Sequence, residues 1–468
     1  MTWSGLKDLP TLQDIKRMAA TRGVPLGLRE LVIGPGASAA VAGVAANLVG
    51  DTPGDLVMLV DETPYAGSGG SFKEWLLSQL ASGARAVRQV CITGQSLLVE
   101  ADEATMLRAE KAVRGAGVLV TVGSGTLADI GKVLSQRLNI PHVVVQTANS
   151  VNGFADDQSV LLRAGVKRTV PSRWPDALIV DIDVIALAPD LLNASGVGDL
   201  LSMFTAPADW LIASTAGLGP AYDDELVELV RPQGGRILDV AGRLGERNPH
   251  DLSYLAWMLS ISGLTMGLAG TTAPSSGTEH VISHVLEMTA RASGLPSSHH
   301  GERVGIATLV AAGIWSRVRR HAPARLPMLV KPEPDWAKHE ALNAFRRLGK
   351  VAAEECWTAY EKKLNAWYEN PDSLTRLMDE WPALQDRLDD LLGDPRELVA
   401  SLQASGAPVR FGDLASKFDQ QTVHWAVYNA HRMRDRFLIA DLAELMGIWT
   451  PELVSDVLAE LNEWGAGW

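Results

Sequence analysis

The sequence predicts an α/β protein, with a doubly wound parallel sheet in the first part of the chain and an all-helical part after it. Three observations predict this: six short apolar runs between residues 31 and 180, helical stretches between those runs, and long helical periodicity beyond about residue 190. Continuous apolar runs separated by helices mark strands buried on both faces, as in a parallel sheet covered by helices on each side.

In chain order, the runs at 31–33, 56–60, 90–92, 118–122, 142–145 and 178–180 read as strands. Windows 226–244, 253–267, 305–320, 339–370 and 418–445 read as helices. The Pro- and Gly-containing breaks at 326–334 and 405–408 read as connections rather than domain boundaries. The tryptophans scattered through the helical part read as packing residues. The division expected is a nucleotide-binding domain at 1–190 and a helical domain at 191–468.

Composition narrows the partners. With 47% hydrophobic and 21% charged residues, the 468-residue chain has the make-up of an ordinary globular protein. A formal net charge of −13 argues against nucleic acid or an anionic membrane as the main partner, while allowing a local basic pocket for a phosphate. Two distant cysteines, Cys91 and Cys356, form no CxxC pair and fit a reducing cytoplasm. Residues 1–8 lack the basic and apolar stretches of a signal peptide. The apolar window 31–50 is broken by Gly34-Pro35-Gly36, so it reads as a strand, a tight turn and a buried helix, and no membrane insertion is expected; the turn suits a structural role first and a second phosphate-proximal turn otherwise.

Several motifs carry chemistry. Gly123-Ser124-Gly125-Thr126 follows an apolar strand and precedes the helical run 127–138. That setting brings backbone N–H groups to a helix N-terminus, a seat for pyrophosphate, although the same four residues also suit a plain tight turn. Asp61 ends an earlier strand, where an acidic residue accepts ribose hydroxyls or is simply solvated. The polar cluster Gln146-Thr147-Ala148-Asn149-Ser150-Val151-Asn152-Gly153 follows another strand, at the end of the sheet where such folds bind ligands. Asp199, His280 and His300 offer one carboxylate and two imidazoles, which suit a zinc-like ion with a coordination position left open. Alone, the i,i+4 pair His280/His284 also fits a partly exposed helix face.

Taken together, Asp61, Gly123-Ser124-Gly125-Thr126 with Asp129 and Lys132, Thr147-Ala148-Asn149-Ser150 with Asn152-Gly153, Gly198-Asp199-Leu200-Leu201, Ser276-Gly277-Thr278-Glu279-His280 with Ser283-His284, and His300-Gly301-Glu302-Arg303-Val304-Gly305 carry a resemblance. The stretch His431-Arg432-Met433-Arg434-Asp435-Arg436-Phe437-Leu438-Ile439-Ala440-Asp441-Leu442 extends it. The chain resembles the sn-glycerol-1-phosphate dehydrogenases, within the superfamily of iron-containing alcohol dehydrogenases, glycerol dehydrogenases and dehydroquinate synthases.

The resemblance implies a dehydroquinate synthase-like fold: a Rossmann-like NAD(P)-binding domain and a helical metal- and substrate-binding domain. It implies zinc, nickel or iron on Asp199, His280 and His300, with zinc the first choice, and His284 facing the substrate. It implies NAD or NADP held by Asp61 and by Gly123, Ser124, Gly125, Thr126 and Leu127, with Thr147 and Ser150 toward the nicotinamide. The activity implied is hydride transfer between nicotinamide and a small polyol phosphate or keto phosphate. A homo-oligomer is expected as the common state of soluble enzymes, and the cytoplasm from the cysteine usage.

Two positions depart from the pattern. Asn152 stands where the family has an acidic residue that contacts substrate hydroxyls, and Asp156 stands where a small hydroxyl residue commonly touches NAD, so by position Asn152 is expected at the catalytic site and Asp156 beside NAD. Asn keeps the shape but cannot act as a base. Two other readings follow. One is a sugar-phosphate cyclase, although Ser150-Val151-Asn152-Gly153-Phe154 lacks that group's Gly-Gly pair and Lys. The other is a catalytically silent homologue that binds nucleotide or metal.

Overall fold

All six apolar runs form strands of one sheet: β1 (Glu30–Gly34), β2 (Asp55–Asp61), β3 (Val87–Ile92), β4 (Ala116–Gly123), β5 (His142–Gln146) and β6 (Ala177–Asp181). Their spatial order is β1-β6-β5-β4-β2-β3, and every neighbouring pair runs parallel. The structure is a computed structural model that describes residues 9–50, 52–67, 70–83, 85–94, 99–163 and 166–468; the segment 1–8, read above as lacking a leader, lies outside the described residues.

The burial pattern explains the apolar runs. Every residue of β4, β5 and β6 is buried. Side chains alternate between two separate cores, as strand geometry requires. Leu56, Met58, Val60, Val118, Val120 and Val122 pack in one core, while Val57, Leu59 and Leu119 pack in the other. Each fully buried Val, Leu or Met contributes about 1.5–3 kcal/mol relative to exposure, so helices on both faces are needed to realise that gain.

The topology positions the ligand end of the sheet. From β2 the chain moves outward to β3, and from β4 it moves the opposite way to β5. Adjacent strands whose connections leave in opposite directions open a crevice at their carboxyl ends. Asp61 ends β2 and Gly123 ends β4, so both sit at that switch point.

The described chain divides into two compact units. The first comprises the described residues of Met1–Arg163 together with Lys167–Gly196 and Arg243–Gly270, and the second is essentially Val197–Gly242 and Thr271–Trp468. The chain therefore leaves the first unit six residues after position 190 and returns to it for one helix. The helices that matter below are α1 (Gly125–Leu138), α2 (Asp190–Leu200), α3 (Pro249–Ala269), α4 (Thr278–Ala292) and α5 (His300–His321). Among the described residues of the second unit's two long stretches, the only β-pairing is an isolated bridge between Arg410 and Gly467. The α/β class with a parallel sheet and a helical part is the one the sequence predicts.

Among the described residues one helix, α3, is long and apolar enough to cross a bilayer, but 89% of its most apolar window is buried inside the protein, as in a core helix. Three of the long helical windows are interrupted. The window 226–244 breaks at the 3-10 turn Arg231–Gln233, which contains Pro232, and 339–370 breaks at Gly349, where φ is 103°. The window 418–445 gives two helices, Gln420–Asn429 and Ile439–Leu445, separated by the 3-10 turn Ala430–Met433 and the extended residues Arg434 and Leu438.

Candidate active site

Asp199, His280 and His300 come together in the second unit, each offering an atom within 4.8 Å of the others. Asp199 lies in the last turn of α2 and is fully buried; His280 is in the first turn of α4, and His300 opens α5. Two glycines bring these helices close enough. A Cβ on Gly198 would stand 2.2 Å from the Gly301 carbonyl oxygen, and one on Gly305 would stand 3.0 Å from the Gly198 Cα. Backbone therefore packs on backbone, which sets Asp199 beside His300.

The spacing fits one metal ion. Ligand bonds of about 2.0–2.2 Å in a tetrahedral site separate the ligand atoms by about 3.3–3.6 Å. Asp199 Oδ1 is 3.4 Å from His280 Nε2 and 3.5 Å from His300 Nε2. The donor chemistry fits as well. Burial pulls the His280 imidazole down, but hydrogen bonding to Asp199 and Glu279 outweighs it and raises the group to about 9. Two carboxylates thus favour positive charge at this imidazole, and a divalent ion satisfies the same preference.

Glu279 is a residue that the sequence reading did not single out. Its Oε1 lies 3.0 Å from His280 Nδ1, which turns Nε2 toward Asp199. The same carboxylate accepts from Gly277 N at 2.5 Å and Thr205 Oγ1 at 2.8 Å. A carboxylate behind a ligating histidine fixes its tautomer and raises its basicity. Asp209 completes this support by accepting from Thr278 N at 2.7 Å and Ile439 N at 2.9 Å. Burial, then the Glu279 charge, raises Asp209 to about 7.

His284 lies one turn beyond His280, with its ring centroid 6.3 Å from that of His280 and 5.9 Å from that of His300. Its ring therefore lies beside both imidazoles of the ligand set, and its Nδ1 is 2.9 Å from Arg434 Nη2. A second cluster, His431, Asp441 and Glu444, also has metal-like spacing. There, however, Lys363 Nζ is 2.7 Å from Asp441 and Arg432 Nη2 is 2.6 Å from Glu444, so two cations already match its carboxylates.

In the first unit, α1 begins at Gly125 without a side-chain cap, which leaves its amino end suited to an anion. Cβ atoms on Gly123 and Gly125 would meet Leu127 Cδ1 at 2.4 Å and Val151 Cγ2 at 2.8 Å, so the Gly123-Ser124-Gly125-Thr126 turn needs both glycines for packing alone. Leu127 differs from expectation: its side chain belongs to the core and its N–H donates to Ser124 O, so it has little to offer a cofactor. Asp61 accepts from Thr63 N, Tyr65 Oη and Lys73 Nζ at 3.1, 3.2 and 3.2 Å. Thr147, buried after β5, hydrogen-bonds Tyr65, whose phenol is held well above its usual range by burial and then by the Asp61 charge. Ser150 is also buried in this segment.

Asn152 is buried and donates from Nδ2 to Ser262 Oγ on α3 at 3.0 Å. Asp156, expected beside NAD, instead lies 2.5 Å from Lys132 Nζ, whose side chain is fully buried. Burial disfavours the Lys132 charge, but Asp156 and Asp129 outweigh that and keep it protonated. Removing one partner of such a buried pair costs about 3–5 kcal/mol, so the geometry supports a structural role for Asp156. The turn at Gly34-Pro35-Gly36 is structural as expected, since Gly36 N donates to Asp181 and Asp183 at 3.1 and 3.0 Å.

A parallel sheet with this switch point, in a chain that also carries a His2Asp set, matches the metal-containing dehydrogenases that the sequence resembles. Residues 32–189 match the family described as iron-containing alcohol dehydrogenase. A glycerol-1-phosphate dehydrogenase [NAD(P)+] of Methanosarcina mazei is 30% identical over 249 residues, covering 52% of this chain and 67% of the relative. The corresponding protein of Bacillus licheniformis is 31% identical over 258 residues, 54% of this chain and 64% of the relative. The matched region thus spans about two thirds of these relatives' length. A probable glycerol dehydrogenase from Sinorhizobium meliloti shares the fold, with a TM-score of 0.54 at 15% identity over 93% of this chain and 97% of that one. The chain belongs to the iron-containing alcohol dehydrogenase family and groups there with glycerol-1-phosphate dehydrogenases.

Proposed function

We propose that this protein is a metal-dependent NAD(P) oxidoreductase that interconverts a small polyol phosphate and its keto phosphate in the cytoplasm. The observation that carries this reading is the approach of His280 Nε2 and His300 Nε2 to Asp199 Oδ1, at 3.4 and 3.5 Å. When bound, a divalent ion supplies Lewis acidity at a substrate oxygen and the nicotinamide carries the hydride.

The chain's own residues do the rest. Asp199, His280 and His300 would hold the ion, zinc in the first instance because two imidazoles and a carboxylate suit it. Glu279 holds the His280 ring in place, and His284 offers a ring nitrogen to the substrate oxygen. Gly123, Ser124, Gly125 and Thr126 would seat the pyrophosphate at the amino end of α1, with Thr147 and Ser150 toward the nicotinamide. Asp61 would receive the ribose. Lys73, 3.2 Å from its Oδ1, offsets its charge and supports use of NADP as well as NAD. Asn152 would orient substrate hydroxyls without charge. That neutrality is why the reading names the polyol-phosphate class rather than glycerol 1-phosphate alone.

The test is to follow reduced-nicotinamide absorbance while zinc-loaded protein is given NADH or NADPH and a panel of keto phosphates, including dihydroxyacetone phosphate. Turnover that is lost on chelation supports the dehydrogenase. Product with no net change in nicotinamide would indicate a cyclase, and tight cofactor and metal binding without product would indicate a silent homologue.

A further inference from the structure

We propose that Arg434 is a positioning residue that locks His284 in the neutral Nε2–H tautomer. His284 then serves as a hydrogen-bond donor to a substrate oxygen and not as a proton acceptor. This rests on the dehydrogenase reading for its consequence, but not for its geometry.

The geometry is a matter of donors and acceptors. Arg434 Nη2 lies 2.9 Å from His284 Nδ1. A guanidinium has five N–H donors and no acceptor, so the shared proton belongs to Arg434 and Nδ1 contributes its lone pair. The proton of a neutral imidazole then sits on Nε2.

The fold holds Arg434 to this task. It follows the 3-10 turn Ala430–Met433 in an extended conformation, with φ −131° and ψ 156°. On one side Arg432 is tied to Glu444 at 2.6 Å. On the other, Arg436 donates to the Ser276 carbonyl and, at 2.6 Å, to Thr272 Oγ1 in the segment leading into α4. The first anchor ties the strap to the helix that follows it, and the second ties it to the segment leading into the helix that carries His284.

The chemical consequence is specific. A locked Nε2–H can hydrogen-bond a ketone oxygen or the alkoxide that develops from it, which suits the reducing direction. It cannot take the hydroxyl proton of an alcohol, so in the oxidising direction that proton passes to another acceptor, such as solvent.

The direct test is nitrogen NMR of the zinc-loaded full chain with 15N-labelled histidine, the His284 signals being assigned by their loss in His284→Gln. In the wild type, His284 is expected to show an unprotonated Nδ1 and a protonated Nε2. In Arg434→Met, which removes the donor, that pattern is lost and kcat for ketone reduction falls about 10–100-fold, the usual cost of removing an orienting partner. Arg434→Lys restores a donor and is expected to restore the tautomer, which guards against a folding artefact. A proton on Nδ1 in the wild type, or an unchanged pattern in Arg434→Met, overturns the proposal. The NMR pattern needs no turnover, so an inactive protein with this tautomer would refute the proposed function and leave the inference standing.

Discussion

The carboxylate of Glu279 lies 3.0 Å from the Nδ1 of its chain neighbour His280, and the opposite ring nitrogen, Nε2, lies 3.4 Å from Asp199. The imidazole is therefore held between two buried carboxylates, one that orients it and one that would share its metal. Glu279→Gln keeps the shape but removes the charge that polarises the ring. Metal affinity is expected to fall about 10–100-fold, measured by zinc competition against a chromophoric chelator. Unchanged affinity would reduce Glu279 to a packing residue.

Gly198→Ala tests the backbone contact that sets Asp199 beside His300. The added methyl would meet the Gly301 carbonyl oxygen at 2.2 Å, where only backbone movement can relieve the clash. The expected loss of stability is about 1–3 kcal/mol, accompanied by weaker metal loading. Gly235→Ala is the control, because a Cβ there meets nothing within 4 Å. Its unfolding temperature is expected to hold or rise.

Asn152→Asp addresses substrate choice. A carboxylate accepts stronger, charge-assisted hydrogen bonds from hydroxyls than a neutral amide does. We expect kcat/KM for glycerol 1-phosphate to rise about tenfold relative to the other polyol phosphates tested, equivalent to about 1.4 kcal/mol. An unchanged ranking of substrates would remove Asn152 from the account of selectivity.

His142 sets a pH dependence of stability. Burial, followed by the charges of Lys132 and Arg173, lowers its pKa from 6.5 to about 3, and its Nε2 lies 2.9 Å from Thr121 Oγ1. The folded ring stays neutral while the unfolded ring takes up a proton below about pH 6.5, so its contribution is complete above that value and lost as pH falls toward 3. At pH 5 the loss is about 2 kcal/mol. Asp209, raised to about 7, acts in the opposite sense, being stabilised in the fold as pH falls from 7 to 4. The difference between wild type and His142→Gln in urea unfolding at pH 7 and pH 5 isolates the histidine, and equal pH slopes would contradict the assignment.

The sheet was legible in the sequence because strands covered on both faces must be apolar throughout, as β4 is from Ala116 to Gly123. The candidate ligands Asp199, His280 and His300 were legible as one carboxylate and two imidazoles in short motifs, and Gly198, beside Asp199, is a glycine that the structure uses for close packing. The breaks in the long helical windows were harder to see, since periodicity continues across Gly349 and across 430–438 even though the backbone does not. Partners distant in the chain were not legible at all. Nothing local to Arg434 points to His284, 150 residues earlier, and nothing local to Asp156 points to Lys132. Asp156 looked like a ligand-facing residue because its position, and not its partner, was what the sequence displayed.

The central claim is that Asp199, His280 and His300 hold a metal required for reduction of a keto phosphate. The most direct measurement determines bound metal by mass spectrometry and NADH consumption with dihydroxyacetone phosphate, on the same preparations of wild type and His280→Ala. The account predicts about one ion per chain and turnover in the wild type, with both lost together in the variant while cofactor binding persists. Full turnover in a metal-free variant, or a full complement of metal retained without His280, would contradict it.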